Sequence, residues 1–78
     1  CMKCLASDTL QAIAHAGLRQ QDPQLYEQKE DISEDITVVS MCCALTQAYP
    51  QEMFTELEIQ LVTRVYSTAM ENISNEVQ

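Results

Sequence analysis

Apolar side chains recur at helical spacing along almost the whole chain, and helix breakers are nearly missing: one Gly and two Pro stand among 78 residues. That pairing constrains the fold more than any motif does. A turn-rich β fold needs Gly, Pro and Asn at its corners, and a disordered chain lacks the apolar residues, 46% here, that build a core. The expectation is an all-α fold: a small bundle of three main helices plus one short helix, in a single domain over residues 1–78.

Leu10, Ile13, Ala14, Gly17 and Leu18 follow the i, i+3, i+4, i+7, i+8 pattern of one helix face, so a first helix is expected over about residues 4–20. Asp22-Pro23 closes it, because a residue before proline avoids the helical region. Gly17 lies on the apolar face, where a missing Cβ lets another helix approach. Asp22 and Pro23 also suit a helix start, and a short helix is expected over 23–29 with Leu25 and Tyr26 as anchors. Asp31 and Glu34 have capping-box spacing before a helix over 32–48. Its rows Ile32, Ile36, Val39, Cys43 and Val38, Cys42, Leu45, Tyr49 make a wide apolar stripe, as in the central helix of a bundle. The β-branched run Ile36-Thr37-Val38-Val39 admits a strand, but no other segment offers it a partner. Tyr49-Pro50 ends the helix. Thr55 and Glu58 then form a second capping box, Phe54 and Ile59 a hydrophobic staple across it, and the last helix is expected over 55–76.

Twelve acidic residues against four basic ones leave a formal charge of −8, which excludes electrostatic binding of nucleic acid and is repelled by an anionic membrane surface. No apolar run approaches the roughly 20 residues that span a bilayer, so membrane insertion is not expected. A domain this short buries only about 60% of its unfolded surface, and natural examples often add a disulfide, a metal or a partner subunit. Cys1, Cys4, Cys42 and Cys43 could supply the first two.

Three readings of the cysteines compete with a plain fourth. Cys1-x-x-Cys4 has redox-motif spacing but lacks the βαβ context that such motifs use. Zinc needs four convergent ligands, and Cys42 and Cys43 project about 100° apart on a helix, even with His15 as a substitute, so no metal site and no cofactor are expected. Disulfides from Cys1 and Cys4 to Cys42 and Cys43 fit best: a bridge such as Cys4 to Cys43 closes a loop of about 39 residues, worth roughly 4 kcal/mol. The plain alternative is free thiols acting as small apolar core residues.

Glu30, Asp31, Glu34 and Asp35 crowd carboxylates as calcium loops do, but the Gly of the sharp turn is absent, and helix N-terminal charge accounts for them. No catalytic constellation is present, so an enzyme is not expected. Asn72-Ile73-Ser74 is a glycosylation sequon, and a chain beginning at Cys1 fits a processed secretory product as well as a trimmed piece. Met2, Met41, Met53 and Met70 suit core filling, while Tyr66, Met70 and Val77 on the last helix are candidates for partner binding. Secretoglobins are similar in length and helix content, but their cysteines lie near both chain ends, and the 35 residues after Cys43 contain none. The expected function is that of a secreted, disulfide-stabilised helical protein binding another protein, as a signalling ligand, inhibitory factor or effector. The alternatives are an intracellular interaction or homodimerisation domain with reduced cysteines, and a carrier of a small apolar ligand.

Overall fold

Ala6, Leu10, Ile13 and Ala16 are buried at spacings of three and four, which sets them in one line down the first helix, α1 (Met2–Gln20). The computed structural model describes residues 2–22, 24 and 32–77. Helix α1 starts two residues before the expected position, and its end tightens: Gln21 N–H donates to the Leu18 carbonyl and Asp22 N–H to that of Arg19, both at 3.2 Å. Asp22 Oδ1 then accepts the Gln24 N–H at 3.0 Å, the bond an Asp makes before a helix start. Apart from Gln24, the short helix expected over 23–29 lies outside the described residues.

The second helix, α2 (Ser33–Ala48), includes the β-branched run that could have read as a strand. It starts one residue later than expected. Ile32 occupies the cap without a side-chain bond, Asp31 lies outside the described residues, and the Glu34 carboxylate accepts from Arg19 Nε of α1. Tyr49 and Pro50 end α2 with extended backbone, a 3₁₀ turn covers Gln51–Met53, and the Tyr49 and Phe54 rings meet edge to face with centroids 6.5 Å apart. The third helix, α3 (Glu56–Val77), opens on a reciprocal capping box. Thr55 N–H donates to Glu58 Oε1 at 2.8 Å, and Glu58 N–H donates to Thr55 Oγ1 at 3.2 Å. At about 1.5 Å per residue its 22 residues span about 33 Å, which sets the 37 Å long axis of the bundle.

Helices α2 and α3 run antiparallel. Asn72 Nδ2, near the end of α3, donates at 3.2 Å to Oδ1 of Asp35 in the first turn of α2, and Asp35 is itself buried. Helix α1 lies across this pair, and Ile13, Val38, Leu45 and Val65 close the centre with at most 2% of their surface exposed. Gly17 permits the approach. A Cβ added there would stand 2.9 Å from Val65 Cγ2, a side chain that packing holds with 0% exposure. One turn further on, Gln20 Nε2 donates to the Val65 carbonyl at 3.3 Å.

Gly17→Ala sets a helix-propensity gain of about 1 kcal/mol against overpacking of about 1–3 kcal/mol, and the fixed Val65 decides the sign. The substitution is expected to lower the midpoint of thermal unfolding, and Val65→Ala added to it should cost less than it does in the Gly17 chain. A higher midpoint for Gly17→Ala would show that α1 and α3 do not meet this closely.

Candidate functional site

Leu61 and Val65 of α3 face Gly17 of α1. Val62 and Tyr66 each follow by one residue, about 100° further round the helix, and therefore look away from α1. On α2, Glu34 marks the side that meets α1, while Cys43 and Thr46 lie on the far flank. The two far flanks meet in a trough along the α2–α3 seam. One recess, of about 270 Å³, is lined by Cys42, Cys43, Thr46, Val62, Thr63 and Tyr66. A second, of about 200 Å³, shares Thr46, Val62 and Thr63 with it and adds Tyr49, Phe54 and Ile59. A wide concavity continues from Phe54 and Ile59 to Glu52 and Glu56.

Two further apolar side chains stand exposed on α2 and α3, beyond the lining of the trough. Ile36 stands about two turns above Cys43 on the same face of α2, and Met70 about one turn beyond Tyr66 on α3. Ile36 is 49% exposed, Met70 41% and Tyr66 36%; Leu5 and Leu18 of α1 and Leu57 of α3 are exposed further, at 59%, 68% and 77%. From Ile36 to Ala48, where α2 ends, its flank runs about 18 Å at helical rise. The hydroxyls of the trough need no outside partner: Thr46 Oγ1 donates to the Cys42 carbonyl at 3.0 Å and Thr63 Oγ1 to that of Ile59 at 2.8 Å.

Of the residues expected to bind a partner, Tyr66 lines the trough and Met70 is exposed one turn beyond it on α3, while the side chain of Val77 lies outside the description. Sequence reasoning missed Ile36, Thr46, Ile59 and Thr63. A signal for them existed: Ile36 to Gln51 is a run of 16 residues without a charge in a chain that is 21% charged.

The expected disulfides are not seen. Cys4, Cys42 and Cys43 are free thiols, and Cys1 lies outside the described residues. Bridged Cβ atoms lie about 3.5–4.5 Å apart, and no pair among the three described thiols is bonded. Cys4 is exposed in the first turn of α1, whereas Cys42 is 2% exposed in the core. Burial pushes the Cys42 thiol up to about 11, with the neighbouring Cys43 adding to the shift, so it packs as a neutral apolar group.

The other sequence candidates separate. Among the described residues no group of three or more His, Cys, Asp or Glu converges as metal ligands would, and His15 is exposed on α1. No described helix is long and apolar enough to cross a membrane. Met41 and Met53 pack against the core, but Met70 does not. In the sequon, Asn72 is half-buried and its Nδ2, the atom that carries a glycan, donates to Asp35. What the seam offers chemically is apolar contact.

Between pH 9 and about 11 an unfolded chain ionises the Cys42 thiol while the folded chain keeps its proton, so stability falls as pH rises through that window. Denaturant melts across the window should show a steeper fall for the Cys42 chain than for Cys42→Val, and parallel curves would contradict the burial. No family model, curated protein or solved structure matches the chain, so the functional reading rests on these residues alone.

Proposed function

We propose that this chain is a helical binding module whose α2–α3 trough seats an apolar helical segment of a protein partner. An apolar recess on the side of the α2–α3 pair away from α1 carries the reading: among the described residues Tyr66 stands exposed in its lining, with Ile36 and Met70 exposed on the same two helices. A helix laid into a groove presents anchors at i, i+3, i+4 and i+7, and a flank of about 18 Å accepts about 12 residues of one.

Disulfide bonding, and the secreted setting inferred from it, are not part of this proposal. The binding face forms with Cys4, Cys42 and Cys43 as thiols, and none of its contacts needs a cross-link. The reading of a helical interaction domain with reduced cysteines gains support on the same ground.

A photo-crosslinking residue placed in turn at Ile36, Met70 and Gln11 tests the proposal in the source cells. Ile36 and Met70 are exposed on the two helices that form the trough, and Gln11 is exposed on α1. The expected result is one adduct of defined mass from positions 36 and 70 and none from 11. Adducts of the same kind and yield from all three positions would remove the trough as the binding face.

A further inference from the structure

The lower end of the trough differs from the rest in charge. Its walls beside Cys43, Thr46, Val62 and Thr63 are uncharged, but the concavity around Phe54 and Ile59 is flanked by Glu52, Glu56 and Glu58, with no Lys or Arg among its lining residues. Glu58 is held by the capping box, while Glu52 and Glu56 are exposed. A helix entering from solvent therefore meets an apolar floor along its length and carboxylates at one end. The whole molecule adds a formal charge of −8, a field that repels anionic segments and draws cationic ones toward the surface.

Resting on the binding reading above, we infer that the occupant of the trough is an amphipathic helix of another protein with Lys or Arg clustered at one end. Its apolar stripe covers Tyr66, Val62 and Ile59, and its basic end lies over Glu52 and Glu56. A second copy of this chain is the poorer occupant, because it brings its own charge of −8 and 12 acidic residues to the contact. A neutral apolar helix would leave the carboxylate end without a counterpart. Charge complementarity of this kind sets partner choice and encounter rate, while the apolar floor supplies the adhesion.

Two synthetic helices test the occupant: a Leu/Lys amphipathic peptide of about 15 residues, and a Leu/Glu peptide with the same apolar positions. Fluorescence anisotropy against the full chain should show the Leu/Lys peptide binding at least about tenfold tighter at low salt, with the advantage shrinking as ionic strength rises. Two double variants with equal change in net charge locate the effect. Glu52→Gln with Glu56→Gln should weaken Leu/Lys binding roughly three- to tenfold, and Glu71→Gln with Glu76→Gln, near the far end of α3, should leave it within about twofold. Equal loss from both pairs, or equal affinity for both peptides, overturns the basic occupant and leaves the trough as the seat. Sedimentation showing a dimer that Met70→Asp dissolves assigns the seat to a second copy and also overturns it. Leu/Lys binding untouched by Met70→Asp and Ile59→Ser, in variants that keep their helical circular dichroism, removes the trough itself and with it the function proposed above.

Discussion

The approach of α1 to α3 at Gly17 settles where the rest of the molecule can go. With no Cβ at that position, Val65 sits directly against the α1 backbone, and the Gln20 side chain completes the contact on the Val65 carbonyl. Helix α1 is thereby committed to one side of the α2–α3 pair. Among the described residues no helix covers the other side, where Ile36, Tyr66 and Met70 are exposed. The composition of the groove suits an apolar contact: a run without charge on α2 faces a mixed apolar and hydroxyl flank on α3.

Polar contacts hold the frame at its ends and leave the middle to packing. Asp35 and Asn72 tie the start of α2 to the end of α3, and Arg19 and Glu34 tie the end of α1 to the start of α2. The first link is partly buried and constrains register, because a one-residue slip would leave a buried carboxylate without this donor. The second is exposed on both sides and contributes little to stability. The capping box of Thr55 and Glu58 fixes where α3 begins, and hence where Ile59 and Val62 enter the seam.

Local features were the legible ones. Helical spacing, the stop at Tyr49-Pro50 and the reciprocal bonds of Thr55 and Glu58 all follow from chemistry within one or two turns, and the sequence carries that chemistry in full. Gly17 was legible as a place of close approach, though its neighbour Val65 was not. The cysteines show the opposite case. Their spacing along each helix permits bridges, but bridging depends on how α1 and α2 slide past one another, and that is set by Gly17, Glu34 and Asp35 through contacts that no single segment encodes. The trough was half legible for the same reason. Tyr66 and Met70 stood out as surplus apolar surface, while Ile36, Thr46 and Thr63 join them only once the rotation of α2 about its axis is known.

The account turns on the seam being open in the isolated chain. Nuclear magnetic resonance with a soluble paramagnetic probe reads this directly, residue by residue. Signals from the side chains of Ile36, Tyr66 and Met70 should broaden strongly as the probe is added, while those of Ile13, Val38 and Val65 stay sharp. Protection of Ile36 and Met70 to the level of Val65 would mean that the face is already covered, and the open trough would have to be abandoned.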